Sequence, residues 1–215
     1  MKKRKIAVLG STGSIGESTL KVLKKNRSSF IIELLTANNN YKKLIKQAKI
    51  FKPKNVLIRN ELHYEKVKKS LKNSNIKIYS GNISICNIIV GKLDYTMSAI
   101  VGFAGLQPTL DAIKISKIVA IANKESIICA WELLYKQMKK YKTKILPVDS
   151  EHFSIMELTK DMNDDEVEEI IITASGGPFL NMPLNKLKNV KPKQAIDHPN
   201  WKMGKKISID SANLM

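Results

Sequence analysis

The chain has 215 residues, 43% hydrophobic and 26% charged, which is the balance of an ordinary globular protein and excludes a disordered one. No apolar run approaches the roughly 18 residues that a membrane-spanning helix needs, so no membrane partner is expected. The net charge of +18 is almost all lysine, with Arg4, Arg27 and Arg59 the only arginines; such lysines form a solvated surface that attracts anions, not the clustered arginines of a specific nucleic-acid reader.

Residues 1–5 have the charge of a signal peptide's first segment, but only four apolar residues follow before glycines begin. Residues 6–9 therefore read as the first strand of a cytoplasmic protein. Next comes a helix with Ile15, Thr19, Val22 and Leu23 on one face, then a strand over 30–35. Tyr41, Leu44, Ile45 and Ala48 form an i, i+3, i+4, i+7 stripe that predicts a second helix. Residues 55–58, 76–79, 95–100 and 119–122 read as further strands, with Pro108 near the start of an intervening helix, where its missing N–H does no harm. The helix after Asn123 places Ile127, Trp131, Leu134 and Met138 on one side. Repeated alternation of this kind predicts an α/β fold: a doubly wound parallel sheet, Rossmann-like, over residues 1–147.

The pattern changes after a strand at 144–148. An acidic stretch at 161–169 precedes a strand over 168–173, a Gly-Gly-Pro turn and a polar connection over 186–198. Residues 148–215 are thus expected to begin an α+β catalytic domain. The chain ends inside a beginning helix capped by Asp210 or Ser211, which reads as truncation. Cys86 and Cys129 have no metal or disulfide spacing and read as buried, reduced thiols.

Gly10-Ser11-Thr12-Gly13-Ser14-Ile15-Gly16 lies directly between the first strand and the first helix. Glycines there let the backbone turn tightly and approach a pyrophosphate, while the helix N-terminus offers free N–H groups and a positive dipole end. A merely tight turn is the competing reading. The second strand runs into Ala37-Asn38-Asn39-Asn40 with no carboxylate to hold a ribose 2′-hydroxyl, a pattern compatible with NADP.

Asp149 and Glu151 stand at i and i+2, which in extended chain turns two carboxylates to one face and suits a hard divalent cation. The alternative is a helix start capped by Asp149 or Ser150. Ser175 sits on the turn after an apolar strand, where hydroxyl and N–H groups can hold substrate oxygens or simply close a sheet edge. Trp201 in a loop is either core packing or, with its proline, glycine and polar neighbours, part of a lid.

Several segments, taken together and in order, are similar to the 1-deoxy-D-xylulose 5-phosphate reductoisomerase family. They are the glycine turn; Ala99-Ile100-Val101-Gly102-Phe103-Ala104-Gly105-Leu106; Ala122-Asn123-Lys124-Glu125; Asp149-Ser150-Glu151-His152; Ala174-Ser175-Gly176-Gly177-Pro178-Phe179; and His198-Pro199-Asn200-Trp201-Lys202-Met203-Gly204 on to Ser211. The resemblance implies NADPH and a divalent metal (Mg2+, Mn2+ or Co2+) as cofactors, a phosphorylated sugar as substrate, and a homodimer for the complete protein. Its reaction rearranges 1-deoxy-D-xylulose 5-phosphate and reduces the product to 2-C-methyl-D-erythritol 4-phosphate for isoprenoid synthesis.

By the same resemblance, Thr12, Gly13, Ser14 and Ile15 line the cofactor phosphates, Ala37, Asn38, Asn39 and Asn40 border its ribose, and Asn123, Glu125 and Gly204 contact the nucleotide. Asp149 and Glu151 hold the metal. Lys124, Glu151 and His198 are the implied catalytic residues, and Lys124, Ser150, Glu151, Ser175, His198, Trp201 and Ser211 bind substrate. His198 to Gly204 matches a flap with Met203 near the nicotinamide. Two departures stand out. Ala37-Asn38-Asn39-Asn40 replaces a Gly-Lys pair common in relatives. Relatives also continue past Ser211 with an asparagine, a lysine, a third metal-binding glutamate and further domains, so this chain is expected to bind NADPH weakly and turn over negligibly. A non-catalytic nucleotide-binding remnant and a different NADP-dependent Rossmann dehydrogenase are the alternatives; the latter lacks a catalytic cysteine context at Cys86 or Cys129.

Overall fold

The structure, a computed structural model, describes residues 3–200 and 204–213, with the backbone only of Ile207, Ser211 and Asn213. Strands and helices alternate as the sequence pattern dictates: β1 (Arg4–Leu9), α1 (Ser14–Lys25), β2 (Phe30–Ala37), α2 (Tyr41–Phe51), β3 (Asn55–Ile58), α3 (Tyr64–Leu71), β4 (Lys77–Ser80), β5 (Leu93–Ser98), α4 (Leu106–Ile115), β6 (Ser116–Ile121), α5 (Lys124–Tyr141) and β7 (Lys144–Pro147). All seven strands form one parallel sheet in the order β4-β3-β2-β1-β5-β6-β7. This is the doubly wound α/β architecture expected.

Successive side chains of a strand face opposite ways, so each strand feeds two cores. Ile6 and Val8 join Leu35, Val56 and Ile58 under α1, α2 and α3. Ala7 and Leu9 join Leu34, Leu57, Val119 and Ile121 on the other face, against α4 and α5. Burial on both faces is what lets a parallel sheet carry near-continuous apolar strands. The strand order reverses between β1 and β5, and the crevice beyond the carboxyl ends of those strands is the general ligand position in such sheets.

Some expectations are corrected. On α1 the buried residues are Gly16, Leu20 and Leu23, whereas Val22 is 60% exposed. On α5, Leu134 is buried but Trp131 is 49% exposed, because Ala130 (φ −149°, ψ 33°) breaks the helical repeat just before it. Cys86 is only half-buried and Cys129 is exposed on the solvent side of α5; both are free thiols.

Two compact units divide at Asp149 and Ser150. The second contains α6 (Ser150–Thr159), 3-10 turns at Asp164–Glu166, Gly177–Phe179 and Leu184–Asn189, α7 (Pro192–Ala195) and α8 (Lys205–Asn213). The strand expected over 168–173 does not form, and Ile171 there is 73% exposed. A strand needs a neighbour to take its backbone hydrogen bonds, and among the described residues this unit offers none. The polar connection over 186–198 contains part of a 3-10 turn and the short α7. No helix among the described residues is long and apolar enough to cross a membrane.

Candidate functional site

The glycine turn leaves β1 at the switch point. Gly10 has φ +75°, and a Cβ there would lie 2.6 Å from the carbonyl oxygen of Ala99, where the chain leaves β5. A Cβ on Gly16 would collide with the Gly10 carbonyl oxygen and the Ser11 backbone, so helix and turn touch without side chains between them. Gly13 differs. Its nearest obstacle is 3.5 Å away, so internal packing does not demand a glycine there. It is the N-cap of α1 and makes no side-chain cap, so no cap side chain satisfies the first-turn N–H groups that a phosphate would need.

A buried polar clamp fixes the turn. The N–H of Gly10 donates to Thr36 Oγ1 at 2.9 Å, and the N–H of Ser11 donates to the Thr36 carbonyl at 2.9 Å. Gln47 accepts from the Ser11 hydroxyl at 2.7 Å and donates through Nε2 to the Ser11 carbonyl at 2.8 Å. Thr36 and Gln47 were not among the expected site residues. The signal was present: Gln47 is a polar residue beside the buried Leu44 and Ala48 on α2. At the mouth, Lys43 donates to the Thr12 carbonyl at 3.2 Å and pairs with Glu17 at 2.8 Å.

Residues 37–40 lie at the carboxyl end of β2 with no acid or base among them. They are bound to the chain leaving β3: the N–H of Arg59 donates to the Ala37 carbonyl at 2.9 Å, that of Asn60 to the Asn38 carbonyl at 3.2 Å, and Asn60 Nδ2 to Asn39 Oδ1 at 2.9 Å. Asn40 caps α2 by accepting from the Lys43 N–H at 3.1 Å. Thr36, Leu57 and Arg59 line a 380 Å³ cleft together with Leu9 and Ile100.

Asn123 is 1% exposed, and its side chain is committed internally. Its Oδ1 accepts from the Ser126 N–H at 2.8 Å, capping α5, while Nδ2 donates to the Gly102 carbonyl at 2.8 Å and to that of Ile100. It therefore holds the 100–102 loop against the start of α5, where the half-buried Lys124 and Glu125 stand. Asp149 is the last residue of the first unit, and Ser150 and Glu151 open α6 in the second. The extended geometry expected to align the two carboxylates ends at Pro147, so the strand-based reason for their convergence does not apply. Among the described residues no three His, Cys, Asp or Glu side chains group as metal ligands.

In the second unit Ser175 and His198 meet, with Ser175 Oγ 2.8 Å from His198 Nε2. His198 Nδ1 accepts from the Asn200 N–H at 3.1 Å, which leaves the proton of a neutral ring on Nε2, directed at Ser175. The histidine is 6% exposed and lines a cleft of about 690 Å³ with Ser175, Gly177, Pro178, Asn181 and Asn200. Gly177 packs so closely that a Cβ would lie 2.7 Å from the Cβ of Ala212 on α8. That helix begins at Lys205, with Gly204 just before it, so Ser211 falls in its last turn rather than at an N-terminus. Trp201 and Met203 lie outside the described residues, as does the side chain of Ser211.

The sequence profile of the 1-deoxy-D-xylulose 5-phosphate reductoisomerase family matches residues 6–131, and that of the family's C-terminal domain matches 145–215. The reductoisomerase of Pelagibacter ubique is 54% identical over 214 residues, covering 99% of this chain and 55% of the relative. That of Bacteroides fragilis is 44% identical over 216 residues, covering 100% and 56%. The solved Zymomonas mobilis enzyme in complex with NADPH superposes with a TM-score of 0.87 at 40% identity, covering 99% of this chain and 55% of its own. A second solved reductoisomerase, in complex with NADPH, fosmidomycin and magnesium, gives 0.86 at 34% identity, covering 98% and 55%. The chain spans about half the length of the curated relatives it matches. With its profile matched over most of its length, this chain belongs to the 1-deoxy-D-xylulose 5-phosphate reductoisomerase family.

Proposed function

We propose that this chain supplies the NADPH cradle and part of the metal and substrate site of a reductoisomerase that converts 1-deoxy-D-xylulose 5-phosphate to 2-C-methyl-D-erythritol 4-phosphate. The observation that carries the reading is the clamped glycine turn at the sheet's switch point, feeding a helix with no side-chain N-cap. Thr12, Gly13, Ser14 and Ile15 receive the pyrophosphate there. Residues 37–40 border the adenosine ribose, and the lack of a carboxylate leaves room for a 2′-phosphate. Asn123 acts by holding the 100–102 loop, with Glu125 near it in sequence, and the family resemblance adds Gly204 as a nucleotide contact. NADPH, when bound, supplies the hydride.

Asp149 and Glu151 are carboxylate oxygen donors of the kind a magnesium ion takes, and two solved relatives contain magnesium. The metal, when bound, holds and polarises substrate oxygens. Lys124 carries a cation toward the same substrate, with Ser150 beside the carboxylates. The Ser175 hydroxyl, oriented by the His198 ring N–H, serves the substrate phosphate. The family resemblance adds Ser211 to that set and gives Trp201 the role of covering the sugar and excluding water. The lysine-rich surface concentrates such dianions. The family resemblance further supports a cytoplasmic homodimer for the complete protein.

The test is a chimera in which residues 1–215 replace the matching half of the Pelagibacter ubique relative. NADPH oxidation requiring both magnesium and 1-deoxy-D-xylulose 5-phosphate is expected, falling by about 3 kcal/mol in barrier terms, roughly hundredfold, in Asp149→Asn and Glu151→Gln. Unchanged turnover in both variants would remove the carboxylates from the proposed site.

A further inference from the structure

The turn at the end of β2, residues 37–40, carries no basic residue, yet a nicotinamide cofactor with a 2′-phosphate needs a cation close to that point. We infer that Arg59, from the end of the neighbouring strand β3, is the residue that reads the 2′-phosphate; this rests on the NADPH reading above.

Three observations place it. First, the backbone of Arg59 is not loosely adjacent to the ribose turn but bonded to it. Its N–H donates to the Ala37 carbonyl, and the next residue's backbone and side-chain bonds to Asn38 and Asn39 fasten the same junction. The Arg59 Cα is therefore fixed beside residues 37–39, within reach of the ribose edge for a long side chain. Second, Arg59 is half-buried and lines the cleft that Thr36 and Leu9 also line, and Thr36 is the residue that holds the Gly10 N–H. The cleft thus includes Leu9, the residue before the pyrophosphate turn, and Thr36, which holds that turn.

Third, among the described residues no hydrogen bond or ion pair holds its guanidinium. The other groups nearby are already engaged. Lys43 is paired with Glu17. In the cleft, Asp111 is held by Ser84 at 2.6 Å, Gln107 at 3.0 Å and Lys114 at 3.2 Å. A half-buried, uncommitted guanidinium is costly unless a ligand pairs it, and its planar fork matches phosphate oxygens two at a time. Two of the chain's three arginines lie elsewhere: Arg4 opens β1, and Arg27 donates to the Ile50 carbonyl at 2.8 Å.

The experiment uses the adenosine half of the cofactor. Dissociation constants of adenosine 2′,5′-bisphosphate and of AMP are measured by calorimetry on the 215-residue chain, its Arg59→Gln variant and its Arg59→Lys variant. Loss of one charge-assisted contact is expected to weaken the bisphosphate by about ten- to hundredfold in Arg59→Gln while leaving AMP unchanged, with Arg59→Lys recovering part of the loss. Equal weakening of both ligands, or of neither, overturns the assignment and leaves the cofactor reading intact. A wild-type chain that does not prefer the bisphosphate over AMP overturns both.

Discussion

Replacing Gln47 by leucine tests whether the buried clamp holds the glycine turn. Leucine fits the apolar surroundings of α2, between Leu44 and Ala48, but abolishes both bonds to Ser11. The Ser11 hydroxyl keeps the Thr36 carbonyl as partner at 3.1 Å, so its loss is about 1 kcal/mol. The Ser11 carbonyl loses its Gln47 donor inside a residue that is 0% exposed, which costs about 1–3 kcal/mol. Leucine's extra apolar burial offsets up to about 1 kcal/mol. The net expectation is a loss of about 2–3 kcal/mol, seen in urea unfolding followed by circular dichroism as a midpoint lower by about 1 M. NADPH affinity should fall further than stability alone explains, because the turn is no longer held in its binding form. In a double-mutant cycle with Ser11→Ala the two losses should be non-additive by about 1 kcal/mol or more. Additive effects, or an unchanged midpoint, would refute the clamp.

The turn glycines should separate by role. Gly10→Ala places an L-residue at φ +75° with its Cβ against the Ala99 carbonyl, and should destabilise the chain by about 3 kcal/mol or more in the same unfolding assay. Gly13→Ala meets nothing closer than 3.5 Å and should fold normally, yet bind NADPH about tenfold more weakly by fluorescence titration, a 1.4 kcal/mol effect. Tyr95 on β5 has its phenol pushed above its ordinary 10.0 by burial. The folded state then holds that proton more tightly than the unfolded one, so its contribution is complete below pH 10.0 and is lost as pH rises through the folded value. Lys114, raised chiefly by its hydrogen bond to Asp111, acts in the same direction above 10.5. Unfolding measured between about pH 8 and pH 11 should therefore show a smaller alkaline loss in Tyr95→Phe than in the parent.

The sheet was legible because strands and helices announce themselves by their repeats, and the glycine turn because its position after β1 gives the spacing meaning. Ends were less legible. The strand read as reaching residue 100 stops at Ser98, since the Ile100 carbonyl leaves the ladder to accept from Asn123. Trp131 was assigned to the buried face because regular spacing puts it there; the break at Ala130 involves no glycine or proline that would have signalled it. Residues 168–173 have a strand's apolar composition, but pairing depends on a partner that local sequence does not report. For Asp149 and Glu151 the extended geometry used to relate the two carboxylates gave way to the helix that starts at Ser150. Gln47 escaped notice because it matters through a neighbour distant in sequence, Ser11, and the role inferred for Arg59 likewise depends on a distant neighbour, Ala37.

The most direct test of the account is an NADPH titration of the isotopically labelled chain, followed by amide resonances in two-dimensional NMR. Shifts concentrated at residues 10–16, at 37–40 and at 59–60, saturating together, are what the structure predicts. Shifts scattered over the lysine-rich helices, with the glycine turn unmoved, would contradict it.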